Sequence, residues 1–535
     1  MVSNNIQEIG LQELYDYLSR FHLTGSLYEI SAINAVTRYG FGSSKLYNLN
    51  IPSHIVNWLN DLIAKNIKLN LLSITLSRLS RFLILSGSND NRSPVLKAGS
   101  TTLAKAIYMT EHLYDKDVED STVSNASIPM LMGRLASWQL PLQAKRLNVI
   151  GRGHLLFSEI PSRLKLDYDF DENMKKFHGI GSIEFMLTGM ALWFHCNGTL
   201  DEKTNIQIEG LEQIANKELQ SVFLRLCSCT YKEYRAFFRK DKQYLITSKK
   251  QEYFGLDPFV YKPIIKSGIY PGLSNGIYLV PQPKYLLDKT VNGIFHLLAD
   301  AEKEIAEQKG NKSENPFRVA FGPVLKEYIL MQLLQSSCPT IYILDLDTID
   351  YSSGKIPDIA LVSNDTCVLL EVKTTILGLN ARTFFDNKLL EHEVQRGNIQ
   401  KALIQLDEFQ DAILAGKISK RELKNVNRVI KILVCYDESP FLNLNLLPVI
   451  ERQYNNKAQN FQFASISEIE LLGQALHEGL NVVELLLEKV DDQTTLQWMI
   501  GTYFSQKVDN KKTNKLLHSS FNSLISRMGI KIKQE

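Results

Sequence analysis

Apolar residues in the first half of the chain recur at helical spacing. Leu11, Leu14 and Leu18 lie on one helical face, and Ile55 and Leu59 lie on another. Apolar positions three and four residues apart are typical of amphipathic helices. The same spacing recurs near residues 101–115, 182–194 and 205–240. We therefore expect residues 1–250 to be a mostly helical domain, which could divide into two subdomains.

Two apolar runs of strand length stand close together in the second half. They cover residues 356–362 and 366–374, and the polar residues Ser363, Asn364 and Asp365 separate them. Short apolar runs joined by a polar turn indicate a β-hairpin. We therefore predict two antiparallel strands here.

Further helices and strands are predicted around this hairpin. Helices are expected over residues 317–334, broken early at Pro323, and over residues 388–414. A capping-box pattern at Ser467 and Glu470 predicts the start of another helix. Additional strands are expected at residues 340–346, 428–436 and 461–466. Strands interleaved with helices predict an α/β core, a mixed sheet flanked by helices, in the C-terminal half.

Length and composition indicate that the chain forms several folded domains. At 535 residues, with 44% hydrophobic and 22% charged residues, it is too long for one hydrophobic core and is typical of folded proteins. Five prolines and five tyrosines between residues 251 and 290 predict an extended connection, because proline disrupts helices. The predicted parts are a helical domain (1–250), a Pro/Tyr-rich bridge with a helix (251–314), an α/β domain (315–475) and a basic helical tail (476–535).

Three ionisable residues of the hairpin are the strongest candidates for chemistry. Residues two apart in a strand point to the same face, so Glu371 and Lys373 should project together, and the hairpin should bring Asp358 beside them. Carboxylates are ligands that Mg²⁺ prefers, and such an ion can activate water and contact a phosphate. A nearby lysine can stabilise the charge that develops on the phosphate. An alternative is a solvated ion pair at a strand edge.

Pro357-Asp358 followed by Glu371-Val372-Lys373 resembles the motif of the PD-(D/E)xK nuclease superfamily. The resemblance implies a restriction-endonuclease-like core and hydrolysis of phosphodiester bonds that depends on Mg²⁺, for which Mn²⁺ should substitute. It also implies that both acids bind the metal. Some members add a helical acid before the first strand, which would make Glu327 a third ligand, and a glutamine on the following helix, for which Gln400 is the candidate and Gln405 also fits loosely.

A DNA substrate would require positive charge near these acids. The formal net charge of the chain is only +2, so any phosphate-binding surface must be a local patch. The nearest cations after the second strand of the hairpin are the candidates: Arg382, Lys388, Arg396 and Lys401.

The expected function is therefore that of a Mg²⁺-dependent DNA endonuclease, by analogy from a restriction, mobile-element or anti-phage system. Two alternatives remain open: an RNA-directed nuclease, and a nucleic-acid-binding or assembly subunit whose nuclease fold is not catalytic. Homo-oligomerisation and a partner protein that supplies recognition or ATPase activity are further expectations. The N-terminus does not have the pattern of a signal peptide, and no apolar run has the length of a membrane helix. We therefore expect a cytoplasmic protein without membrane contact.

Overall fold

A computed structural model of the chain describes most of its residues. The described ranges are 10–37, 51–66, 69–123, 146–201, 216–240, 258–267, 277–310, 314–349, 351, 354–378, 381, 387–436, 438, 441–454, 460–509 and 513–527.

The chain divides into two compact units, and neither is continuous in sequence. The first comprises residues 1–126, 174–296 and 525–535, and the second comprises residues 127–173 and 297–524. These boundaries differ from those of the predicted domains, because a segment of the N-terminal half folds with the α/β half. The distinction between a mostly helical N-terminal half and an α/β C-terminal half is confirmed.

Helices dominate residues 10–310, as their apolar spacing predicts. They are α1 (Leu11–Leu18), α2 (Leu23–Thr37), α3 (Ser53–Ala64), α4 (Leu69–Ser86), α5 (Thr101–Val123), α6 (Arg146–His154), α7 (Ile160–Leu164), α8 (Phe170–His178), α9 (Ser182–His195), α10 (Lys217–Cys227), α11 (Tyr231–Lys240), α12 (Pro258–Tyr261) and α13 (Pro283–Gln308), with a π-helical turn at Leu155–Glu159. Leu14, Leu18, Ile55 and Leu59 are fully buried.

A small sheet in the first unit was not predicted from the sequence. Its strands are β1 (Thr199–Asp201), β2 (Ser228–Thr230), β3 (Ile264–Lys266) and β4 (Ile277–Leu279), in the order β1-β4-β3-β2. Two of these strands come from the proline- and tyrosine-rich segment. The described part of that segment therefore contains two paired strands and a short helix in addition to connecting chain.

The second unit contains a five-stranded mixed sheet. Its strands are β5 (Tyr342–Asp345), β6 (Ile359–Ser363), β7 (Thr366–Lys373), β8 (Arg428–Cys435) and β9 (Phe461–Ser465), in sequential order. The pairs β5–β6 and β6–β7 are antiparallel, whereas β7–β8 and β8–β9 are parallel. The predicted hairpin is confirmed, and its turn places Asn364 at φ 54°, a left-handed conformation that asparagine tolerates.

Helices cover both faces of this sheet. They are α14 (Pro316–Leu333), α15 (Asn387–Arg396), α16 (Asn398–Leu414), α17 (Leu442–Tyr454), α18 (Ile466–His477), α19 (Val482–Asp491), α20 (Ile500–Phe504) and α21 (Lys515–Arg527). One core joins α15, α16 and α17 to Ala360 and Val362 of β6 and to Cys367 and Leu369 of β7. Helices α14, α18 and α19 contact the sheet but add no residue to this core, which places them on the opposite face.

Two predictions about the extent of helices were wrong in detail. Helix α14 continues through Pro323, since buried Phe321 and Val324 on either side hold the backbone in place. The predicted helix over 388–414 is two helices divided at Gly397, where an added Cβ would lie 2.6 Å from the Glu393 carbonyl oxygen.

The predicted capping box was placed two residues late. Ser465 caps α18, and Glu468 closes the box through the Ser465 amide at 2.8 Å. Strand β9 ends at Ser465, so the helix begins directly after it. Ser467 and Glu470 are thereby available for other contacts.

Within the described ranges, no helix combines the length and the apolar composition that crossing a membrane requires.

Candidate active site

The hairpin brings Asp358 and Glu371 close together. The antiparallel register ends at the pair Ile359 of β6 and Leu370 of β7, and Asp358 and Glu371 are the next residues beyond that pair. The Asp358 amide donates to the Leu370 carbonyl oxygen at 3.1 Å. The Val372 amide donates to Asp358 Oδ2 at 2.7 Å, which fixes the carboxylate at the end of the strand pair. The two acids therefore lie close together at the end of the strand pair, where the charge of Asp358 acts on Glu371.

Glu371 is held by two side chains and is almost inaccessible to solvent. Its side chain is 2% exposed, and Lys373 forms an ion pair with its Oε1 atom. Gln405 Nε2 of α16 donates to Glu371 Oε2 at 2.8 Å and to the Ile356 carbonyl oxygen at 2.7 Å. An amide nitrogen has two hydrogens, so it can make both bonds at once. Both oxygens of Glu371 thus have fixed partners.

Burial disfavours the charged forms of both acids, and the negative charge of Asp358 further disfavours that of Glu371. Burial, followed by the negative charge of Asp358, raises the pKa of Glu371 to about 7, although Lys373 and Lys326 act in the opposite direction. Burial likewise raises the pKa of Asp358, against the Val372 hydrogen bond and the two lysines. Two adjacent carboxylates with raised pKa values would be stabilised in their charged form by a cation between them.

This pair of acids fits one divalent ion. Mg²⁺ keeps several waters and is commonly bound through one or two carboxylates, so Asp358 and Glu371 are a sufficient protein donor set. No group of three acidic, histidine or cysteine side chains able to hold a metal occurs among the residues that the structure describes. The three-acid arrangement that would include Glu327 is therefore not formed.

Helix α14 directs a different residue toward the acids. Its Lys326 forms ion pairs with Asp345 Oδ1, at 2.9 Å, and with Asp347. Lys326 also lowers the pKa of Asp358 and of Glu371 against the effect of burial. Consecutive helical residues point about 100° apart, a consequence of 3.6 residues per turn, so Lys326 and the half-buried Glu327 face different directions on α14.

Gln405, rather than Gln400, is the glutamine that reaches the site. Gln400 lies half-buried on the same helix, five positions earlier. The spacing of five places the two side chains on different sides of α16. Which of the two glutamines reaches Glu371 depends on the rotation of α16 about its axis, and the sequence motif does not specify that rotation.

The predicted phosphate-binding cations are placed only in part. Lys388 on α15 and Lys401 on α16 are exposed. Arg396 ends α15, and its side chain lies outside the described part of the structure, as does the whole of Arg382. The role of these residues in binding DNA stays a prediction.

Sequence reasoning missed a second buried cluster of polar groups. Arg152 of α6 binds Glu470 of α18 through two hydrogen bonds, of 2.5 and 2.9 Å, and reaches Glu438 at 3.3 Å. Tyr328 donates to Glu470 at 2.5 Å, and Ser467 donates to Glu438 at 2.7 Å. Arg152 and Glu470 are 318 residues apart, so no local spacing could have indicated the pair.

No protein-family model matches the chain, and no curated protein matches its sequence significantly.

Proposed function

We propose that the chain is a Mg²⁺-dependent endonuclease that hydrolyses phosphodiester bonds of DNA at the Asp358–Glu371 pair. One observation carries the proposal: the buried carboxylate of Glu371 and the half-buried carboxylate of Asp358 lie close together at the end of two paired strands, and a lysine of the same strand as Glu371 is bound to it. Carboxylate pairs of this kind bind hard divalent cations. The arrangement also agrees with the resemblance of these residues to the PD-(D/E)xK motif.

The side chains at this site would have different roles. Asp358 and Glu371 would hold Mg²⁺, which supplies Lewis-acid chemistry to the scissile phosphate. Lys373 has three N–H donors, and its side chain is 28% exposed, so donors beyond the one to Glu371 can orient water or contact a phosphate oxygen. Gln405 positions Glu371 and leaves its carboxylate fixed before substrate binds.

A nearly neutral chain suits an enzyme that binds its substrate through a local patch. The exposed Lys388 and Lys401 follow β7 in sequence and would contribute to that patch. We further propose, by analogy of architecture alone, that the enzyme acts in a restriction, mobile-element or anti-phage system and that its helical N-terminal half recognises the substrate or a partner.

Plasmid DNA incubated with the purified full chain provides the direct test. Nicked and linear products are expected with Mg²⁺ or Mn²⁺ and not with EDTA, because the carboxylates alone cannot activate water. Parallel reactions with single-stranded DNA and RNA identify the substrate, and the proposal predicts that DNA is cut fastest. Preferential cleavage of RNA would identify RNA, and not DNA, as the substrate.

Asp358→Asn and Asp365→Asn are the matched pair of variants for this assay. Both remove one carboxylate of the same hairpin, but Asp365 is exposed in the turn. The proposal requires that Asp358→Asn be inactive and that Asp365→Asn cut as well as the wild type. Equal cleavage by the two variants would reveal a contaminating nuclease and remove the basis for the proposal.

Gln405→Leu is expected to reduce kcat about 10- to 100-fold and to leave the KM for DNA unchanged. A hydrogen bond to a charged group contributes about 1.5–3 kcal/mol, and each 1.4 kcal/mol corresponds to a factor of ten in rate. The KM should not change, because Gln405 touches Glu371 and the Ile356 backbone rather than the exposed surface.

Gln400→Leu is the control, since it removes the same amide from the same helix. It should retain full kcat. A Gln405→Leu variant with normal kcat, or a drop of equal size in both variants, would show that Gln405 does not position the catalytic carboxylate.

A further inference from the structure

A second lysine is anchored beside the acid pair. Lys326 of α14 is 14% exposed and lies between two carboxylates, those of Asp345 and Asp347. Asp345 is the last residue of β5 and pairs with Ile359, the neighbour of Asp358. The Leu346 amide donates to the Asp358 carbonyl oxygen at 3.1 Å, so the chain that carries both anchoring acids is bound to the Asp358 backbone.

The position of Lys326 bears on whether a second metal ion can bind beside Asp358 and Glu371. A two-metal site needs oxygen ligands for a second ion about 3.5–4 Å from the first. Three of the four oxygens of Asp358 and Glu371 already accept a hydrogen bond, from Lys373, Gln405 and the Val372 amide, so the lone pairs that remain can hold one ion and offer little to a second. On the side toward β5, the anchored ammonium group of Lys326 would repel a second cation.

The balance of charge also favours one ion. The described groups around this point are four carboxylates, those of Asp345, Asp347, Asp358 and Glu371, and the two ammonium groups of Lys326 and Lys373. With all of them ionised, two negative charges remain. One divalent cation neutralises this excess, whereas a second would leave a net positive charge in a site where Glu371 is almost fully buried.

We infer that the site takes a single divalent ion, held by Asp358 and Glu371, and that Lys326 occupies the place where a second ion would bind. The inference rests on the proposed function and specifies its cofactor stoichiometry. It also assigns Lys326 as a positioning residue that limits the site to one ion and weakens the affinity for that ion.

Mn²⁺ titration of the DNA-free full chain, followed by the EPR signal of free Mn²⁺, tests the inference without a cleavage assay. The wild type is expected to bind one equivalent, which Asp358→Asn should lose. Lys326→Met should bind Mn²⁺ about tenfold more tightly or more, because a nearby positive charge is removed from a partly buried site. Lys417→Met, which removes an exposed lysine after α16, should bind as the wild type does.

The possible results distinguish a failure of the single-ion inference from a failure of the proposed nuclease function. Two equivalents in the wild type, both lost in Asp358→Asn, would overturn the single-ion inference and leave the nuclease proposal standing. Equal affinity of the Lys326→Met and Lys417→Met variants would overturn the role of Lys326. Binding in the wild type no greater than in Asp358→Asn would instead contradict the proposed function itself.

Asp347→Asn keeps the inference testable if Lys326→Met does not fold. Asp347 is 71% exposed, so its replacement should leave the fold intact. A single-ion site predicts one equivalent in this variant, as in the wild type. A decrease from two equivalents to one would instead identify Asp347 as a ligand of a second ion and overturn the inference.

Discussion

Replacement of Glu371 by glutamine is expected to abolish DNA cleavage and, at alkaline pH, to stabilise the folded protein. Glutamine keeps the shape of the side chain and an oxygen for one of the two donors, Lys373 or Gln405, but it removes the charge that would bind the metal. The rate should fall at least about 100-fold, since even ordinary proton-transfer roles contribute that much. The double variant Asp358→Asn, Glu371→Gln should cleave little more slowly than either single variant, because both residues would act on the same metal, water and phosphate.

The gain in stability follows from the direction of the pKa shift. Burial and Asp358 raise the pKa of Glu371 from its usual 4.5 to about 7. Between these values the unfolded chain releases the proton and the folded protein retains it, so the wild type loses stability as pH rises through this interval. Glutamine has no proton to lose. In EDTA, Glu371→Gln should therefore melt at a higher temperature than the wild type at pH 8 and at the same temperature near pH 4.5.

Thermal unfolding at both pH values, with and without Mg²⁺, measures this effect. Mg²⁺ should raise the melting temperature of the wild type and not that of Glu371→Gln, since binding to the folded state stabilises it. Asp365→Asn is the control, and it should follow the wild type throughout. A Glu371→Gln protein that melts below the wild type at pH 8 would show that the carboxylate is well stabilised without a metal.

Replacement of Arg152 by methionine is expected to destabilise the second unit by about 3–5 kcal/mol. Such a loss is typical when one partner of a buried ion pair is removed and the other remains charged. Arg152 and Glu470 side chains are each 7% exposed, so solvent cannot replace the lost hydrogen bonds. Glu438 loses its contact with Arg152 at the same time.

Arg163→Met provides a matched control from the same segment. Arg163 pairs with Glu159 four residues away, but its side chain is 55% exposed. Exposed pairs contribute about 0–1 kcal/mol, so this variant should remain close to the wild type. Urea denaturation gives the free energy of unfolding, and hydrogen exchange should show faster opening of α6 in Arg152→Met.

A second substitution at Glu470 identifies the cause of the loss. Arg152→Met combined with Glu470→Gln should be more stable than Arg152→Met alone, because no unpaired buried charge remains at that position. Equal stability of Arg152→Met and Arg163→Met would mean that α6 does not depend on the ion pair to pack in this unit.

Local spacing in the sequence was enough to identify the centre of the candidate site. Strand alternation places Glu371 and Lys373 on one face, and the short turn at Asn364 and Asp365 leaves one register for the hairpin. Both relations span few residues and depend only on backbone geometry. The mixed sheet could be predicted for the same reason, since apolar runs of strand length alternate with helical ones. The small sheet of the first unit has strands of three residues, too short to produce such a pattern.

Only the tertiary structure decided which helical residues join that centre. The sequence alone favoured Glu327 and Gln400, whereas packing directs Lys326 and Gln405 to the acids. A helix that rotates by 100° per residue changes which side chain reaches a fixed point, and this rotation is set by the whole buried face. The pairing of Arg152 with Glu470 likewise depends on the docking of a segment 318 residues away. Strand geometry is a property of neighbouring residues, whereas helix rotation and docking are properties of the assembled core.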